Sequence, residues 1–179
     1  MYIWIACDLS DSLGHVREEC RNINKGIGLD EVPFLLPQHI SLKISFDAPE
    51  HHFDAIISDV IAYLSEIRAF FVKGPSAELC GGILWLRFDG EAELIKIHRD
   101  LDRLLSGKYA IPQHEFDKCF AFHSTLFISE DREKLGQAYA RVLNVALPEQ
   151  ICVNNFVIGT SKSGKAGEYH VTHKIKCKK

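Results

Sequence analysis

The stretch Phe34-Leu-Leu-Pro-Gln-His39-Ile-Ser41-Leu-Lys43-Ile-Ser-Phe46 has a distant echo in Phe120-Ala-Phe-His123-Ser-Thr125-Leu-Phe-Ile-Ser129, and this duplication restricts what the chain can fold into. Each copy reads as His, any residue, Ser or Thr, apolar. Successive side chains of a β-strand point to opposite faces, so the imidazole and the hydroxyl two residues later stand together. Ile40, Leu42 and Ile44, or Phe122, Leu126 and Ile128, point the other way. Two such strands facing each other make a small hydrogen-bonding platform that suits a phosphate.

A single His-x-Ser/Thr carries little weight: with nine His, roughly one chance match is expected at ordinary Ser and Thr usage. The chain has a third match, His170-Val-Thr172, but only the copies at 39 and 123 follow a similar helix, end in an apolar β-rich run and precede an acidic helix start.

The surrounding pattern repeats as well. Tyr2 to Cys7 reads as a buried strand, followed by a helix from about Asp11 to Asn24, capped by Asp8 or Ser10 and ended by Gly26 and Gly28. After the motif strand at His39, Phe53, Ile56, Ile57, Val60, Ile61, Leu64 and Ile67 fall at helical spacing, and a strand near Phe70 to Ser76 follows. In the second half, Ile83 to Phe88 reads as a strand, Ala92 to Leu105 as a helix, Cys119 to Ser129 as the motif strand and Asp131 to Val145 as a helix. Ile151 to Gly159 and Tyr169 to Ile175 read as a closing hairpin. Trp4 and Trp85 lie 81 residues apart, and His39 and His123 lie 84 apart. A repeat of this period, each unit βαβαβ, predicts an α+β fold of two lobes related by an approximate twofold, with the motif strands lining a central cleft. The lobes span about 1–78 and 79–179, with exchange of strands between them, in a chain of 179 residues that fits one domain.

Composition sets the outer limits. An apolar content of 46 % and a charged content of 25 % are those of a globular protein. A net charge of −3 argues against coating long nucleic acid through counterion release, while a small nucleotide or an RNA end fits. The first residues carry neither a basic leader nor an apolar run of membrane-spanning length, so the reading is of a cytoplasmic monomer without a membrane partner. The six cysteines, Cys7, Cys20, Cys80, Cys119, Cys152 and Cys177, include no Cys-x-x-Cys and read as buried free thiols.

Two imidazoles on opposite sides of one phosphate can act as base and acid, each role typically supplying about 10²–10⁴ in rate. Their unperturbed pKa, about 6.5, makes both forms accessible near neutrality. Ser41 and Thr125 can donate to the non-bridging oxygens where charge develops, and Lys43, on the same face by simple alternation, adds positive charge or stands as a solvated charge on the cleft rim. Phe34, Trp85 and Tyr169 are candidates to stack a base, against the plainer reading of each as core. The scheme needs no metal or other cofactor.

These residues resemble the 2H phosphoesterases, a family named for two His-x-Ser/Thr-apolar motifs, here His39-Ile-Ser41-Leu42 and His123-Ser-Thr125-Leu126. The family includes 2′-5′ RNA ligase/RNA cyclic phosphodiesterases and exonucleases that trim U6 RNA. The resemblance implies a bilobal pseudo-symmetric cleft, with His39 and His123 as the acid/base pair and Ser41 and Thr125 as phosphate ligands. It also implies metal-independent action on 2′,3′-cyclic phosphates or 2′-5′ linkages. Ser41 replaces the commoner Thr, as in the trimming exonucleases. A nucleotide- or RNA-binding module that keeps the cleft without turnover is the alternative from another class.

The remaining motifs carry less. His98-Arg-Asp lacks the other parts of a kinase, and His51 and His52 read as solvent-facing. Gly159-Thr-Ser-Lys-Ser-Gly164-Lys165-Ala166 misses the hydroxyl that a P-loop needs after its Lys. It reads as a basic loop: residues 160–179 hold six Lys against one Glu, which either steers a phosphate or merely aids solubility.

Overall fold

Nine strands and four α-helices make up the described residues, 1–117 and 120–178, of a computed structural model. The strands are β1 (Tyr2–Asp8), β2 (His39–Asp47), β3 (Phe70–Lys73), β4 (Ser76–Cys80), β5 (Ile83–Arg87), β6 (His123–Ile128), β7 (Gln150–Val153), β8 (Asn155–Ser161) and β9 (His170–Lys176). The helices are α1 (Ser10–Lys25), α2 (Phe53–Ser65), α3 (Ala92–Tyr109) and α4 (Arg132–Val142). The predicted start of the second motif strand at Cys119, and the reading of that thiol, lie outside the described residues.

Local chemistry accounts for the helices. In α2, Ile56, Ile57, Val60 and Leu64 bury one stripe at helical spacing. The Asp131 carboxylate accepts from Lys134 N at 3.0 Å and caps α4. For α1 the cap position falls on Leu9 rather than on Asp8 or Ser10, and Asp8, one residue before it, accepts from Ser10 N at 2.9 Å.

Pairing between the named strands is antiparallel throughout, and one isolated parallel bridge joins Arg68 to Lys178. One sheet runs β2-β1-β8-β9, another β4-β5-β6, and β3 pairs with β7 between them. Each lobe therefore presents its motif strand, β2 or β6, at a sheet edge, and these edges approach each other. The unit β1-α1-β2-α2-β3 matches β5-α3-β6-α4-β7, and a hairpin partner is added to each sheet, β4 in one and the closing β8-β9 pair in the other. The closing hairpin joins the sheet of the first half, carrying the end of the chain across to β1.

Two predicted runs are divided. The strand expected over Ile151 to Gly159 breaks at Asn154, because its first part pairs with β3 and its second with β1. The strand expected near Phe70 to Ser76 ends at Lys73. A Cβ on the following Gly74 would lie 1.9 Å from the Pro148 carbonyl oxygen, so only glycine allows that crossing. The prediction of buried thiols holds for Cys7 and Cys20; Cys80 is exposed, since it ends β4 at the Gly81-Gly82 turn. Among the described residues no helix is long and apolar enough to cross a membrane.

The main core fills both lobes behind the sheets, with Ile3, Ile5, Cys7, Leu84, Leu86, Leu126, Phe127, Phe156 and Ile158 buried in it. A small second cluster, Trp4, Ala6 and Val157 with Leu36, Tyr169 and Val171, covers the opposite face of the first sheet. Gly159 makes room for that cluster: a Cβ there would lie 2.6 Å from Trp4 Cε3. Gly159→Ala is expected to destabilise the fold by about 1–3 kcal/mol, read from the denaturant midpoint. An unchanged midpoint would show that Trp4 is free to move.

Candidate active site

The two motifs adopt the same local structure. His39 Nδ1 lies 2.8 Å from the Pro37 carbonyl oxygen, and His123 Nδ1 lies 2.7 Å from that of Ala121, in each case two residues upstream. A carbonyl only accepts, so Nδ1 carries the proton in both rings and Nε2 is left with its lone pair. A tryptophan from the neighbouring strand packs on each imidazole: Trp4 edge-on to His39 at 4.4 Å and Trp85 tilted against His123 at 4.3 Å between ring centroids.

The fourth motif residue has a structural role that simple alternation missed. Ala6 opposes Ser41 but Ile5 opposes Lys43, so Leu42 is the extra residue of a β-bulge. Likewise Trp85 opposes Thr125 and Leu84 opposes Phe127, so Leu126 is extra. After each bulge the faces exchange: Lys43 and Phe127 turn into the interior, Ile44 is left half-buried and Ile128 exposed.

This corrects the placement of Lys43. It occupies the position that Phe127 holds in the other lobe, 2 % exposed, with Nζ on Asp102 Oδ1 at 2.6 Å and also bonded to Asp117. Its charge is thus satisfied behind β2, away from the cleft. His98, stacked on Phe120 and bonded through Nδ1 to the Leu42 carbonyl at 2.8 Å, belongs to the same buried group.

A cavity of about 280 Å³ lies between the lobes, lined by His39, Ser45, Trp4 and Tyr169 from one side, Thr125 and Ile128 from the other, and Gly164, Ala166 and Gly167 of the β8-β9 loop. The structure thus brings His39 and Thr125 to one space. His123 stands on the same face of β6 as Thr125, close enough for its charge to bear on His39. Ser41 Oγ accepts from Trp4 Nε1 at 3.0 Å. Gln38 ties the motifs together, Nε2 donating to Ser124 Oγ at 2.6 Å and to the Thr125 carbonyl at 3.1 Å.

The stacking candidates separate. Phe34 is 6 % exposed and packs edge-on against Phe127 at 5.7 Å, so it is a core wedge between the lobes and not a base platform. Trp85 commits a ring face to His123. Tyr169 stands on the cavity wall with its hydroxyl on Ser45 Oγ. The third motif lies on β9, with His170 exposed and Thr172 Oγ1 on the Ile158 carbonyl at 3.2 Å. Sequence reading missed Gln38, Ser45 and the direct opposition of Arg87 to His123 across β5 and β6. The hydrophobic pattern marked these strands, but their registers depend on the bulges.

Burial pushes the His39 imidazole down to about 4, an effect that the Pro37 carbonyl offsets only in part. Burial also lowers His123, and the Arg87 guanidinium lowers it further. Both rings are therefore neutral at pH 7, with Nε2 able to accept a proton. Among the described residues no three His, Cys, Asp or Glu side chains are grouped so as to hold a metal ion.

Lys43→Ala would leave Asp117 buried without its cation, and about 3–5 kcal/mol of stability should be lost by chemical denaturation. A loss below about 1 kcal/mol would show that Asp102 and Asp117 reach water.

No protein-family model matches the sequence, and no curated protein matches it. Solved structures do. Escherichia coli LigT, crystallised with 3′-AMP, superposes with a TM-score of 0.62 at 15 % identity, over 99 % of this chain and 98 % of that one. TT0787 of Thermus thermophilus superposes with a TM-score of 0.63 at 17 % identity, over 98 % and 97 % of the two chains. A protein described as a phosphoesterase gives a TM-score of 0.61 at 14 % identity, with 99 % of both chains covered. Coverage of both lobes in each case gives this chain the two-lobed α+β fold of LigT and these neighbours.

Proposed function

We propose that this chain is a 2H phosphoesterase that hydrolyses 2′,3′-cyclic phosphates, or 2′-5′ phosphodiester linkages, of RNA ends or small nucleotides without a metal ion. The observation that carries the reading is the matched pair of imidazoles, each tied through Nδ1 to a carbonyl two residues back and freed at Nε2, on motif strands that border one cavity. The likeness in fold to LigT, which has been crystallised with 3′-AMP, with phosphate and with ATP, is consistent with a nucleotide phosphate in that cavity.

In this mechanism one Nε2 takes a proton from water as the water attacks phosphorus. The other ring, protonated, gives its proton to the departing ribose oxygen, so the P–O bond breaks to an alcohol and a phosphomonoester. Ser41 and Thr125 orient the phosphate by donating from their hydroxyls. For Ser41 this is compatible with the Trp4 bond, in which the oxygen is the acceptor and its own proton stays available. Tyr169 and the 164–167 loop bound the space left for the nucleoside.

Purified protein treated with chelator is expected to open a nucleoside 2′,3′-cyclic phosphate, and His39→Ala and His123→Ala should each lower kcat/KM by about 10²–10⁴. Turnover that survives both substitutions sinks the proposal, and ligand binding without turnover in the wild type would leave a binding module.

The pH profile gives a second test. Productive free enzyme has one ring neutral and one protonated, a combination most populated between the two pKa values, and burial holds both below the usual value of about 6.5. The bell of kcat/KM should therefore centre on the acid side of about 6.5 and fall as pH rises through neutrality. A bell centred on the alkaline side would show that other groups set the limbs.

A further inference from the structure

We propose that Arg87 is a ligand of the substrate phosphate, holding from the second lobe a non-bridging oxygen of the anion placed between His39 and His123. The inference rests on the reading of the cleft given above and adds the source of positive charge which that reading lacks.

Register fixes the position of Arg87. It is directly opposite His123, and Trp85 is opposite Thr125. Leu84 and Leu86 are buried in the core, so the alternate residues Trp85 and Arg87 lie on the face that carries His123 and Thr125. Directly opposed residues of an antiparallel pair have Cβ atoms about 4.5–5.5 Å apart, well within the length of an arginine side chain.

Of the other cations near the motifs, two are held by carboxylates, and Arg17, on the side of the first motif, has one guanidinium nitrogen on a carbonyl while its Nε has no acceptor among the described residues. Lys43 is held by Asp102 and Asp117, Arg17 Nη2 donates to the Phe34 carbonyl at 2.6 Å, and Lys174 Nζ lies 3.9 Å from Asp8 Oδ2. Arg87 has no ion-pair partner among the described residues. Beside it, Trp85 Nε1 is buried without an acceptor among those residues, whereas its counterpart Trp4 Nε1 has Ser41.

The twofold is broken here in a chemically directed way. The residue opposite His39 is Asp8, whose carboxylate is taken up by Ser10, while the residue opposite His123 is a guanidinium. Two neutral imidazoles bring no net positive charge to a phosphate that gains negative charge as water attacks. A planar guanidinium supplies that charge and can donate two parallel N–H bonds to phosphate oxygens. The Arg87 charge that lowers His123 in the free protein would be neutralised by the bound anion, so phosphate binding should ease protonation of that ring.

The test is titration of the whole chain with inorganic phosphate, followed by calorimetry or ³¹P NMR, in the wild type, Arg87→Gln and Arg87→Lys, with turnover of a nucleoside 2′,3′-cyclic phosphate measured in parallel. Arg87→Gln should weaken phosphate binding at least about tenfold, the size expected for loss of a charged hydrogen bond, with Arg87→Lys in between. Should Arg87→Gln fail to fold, Arg87→Lys alone is decisive, since a point charge without the planar fork must still bind phosphate more weakly. Free guanidinium should restore part of the turnover lost in Arg87→Ala. Phosphate affinity unchanged in the variants, or no phosphate binding by the wild type, overturns the inference. Weakened binding in Arg87→Gln alongside a wild type that turns over no cyclic phosphate would keep Arg87 as an anion ligand and remove the hydrolase reading.

Discussion

The bulge that follows each His-x-Ser/Thr is the constraint on which the rest of the structure depends. Up to the hydroxyl residue the motif strand alternates regularly, which puts imidazole and hydroxyl on the cleft face. One extra residue, Leu42 or Leu126, then turns the following side chain into the interior. The strand is thus anchored by two consecutive buried side chains immediately behind the polar pair. An edge strand otherwise held by a single neighbour gains a fixed register there, and the rings on its other face gain a fixed direction.

The two lobes use this device with different chemistry. In the second, Phe127 fills the interior position as part of the apolar core. In the first, Lys43 fills it, and the buried ammonium is tolerated because Asp102 on α3 and Asp117, on the approach to β6, converge on it. The ion pair joins the strand of the first motif to the segment that leads into the second. Gln38 makes a similar link on the other side, from the residue before His39 to Ser124. Relative placement of the two imidazoles therefore rests on polar bonds that cross between the lobes, supported by the Phe34 and Phe127 rings packed together.

Neutral rings are the electrostatic consequence. The Pro37 and Ala121 carbonyls orient each imidazole, while burial beneath Trp4 and Trp85 removes the water that would stabilise a proton. A site of this kind acquires its charge from what enters it. Under the proposed function the anion would bring the field that favours imidazolium, and under the further proposal Arg87 would hold that anion.

Much was legible in the chain itself. The duplicated motif, the strands and helices around it, the two-lobed α+β arrangement and the hydroxyl two residues after each His all follow from periodicity, because faces of strands and helices are fixed by local geometry. What only the tertiary structure decided is the fate of residues beyond the bulges and across the strands. Lys43 was one step of alternation from the cleft and went to the core, Phe34 became a wedge between lobes, and Ser45 and Arg87 took places beside the imidazoles. A bulge changes the face of the residues that follow it, until a further irregularity such as the one between Lys43 and Phe46 resets it, without altering the local apolar pattern, and cross-strand partners are set by register between segments far apart in the chain.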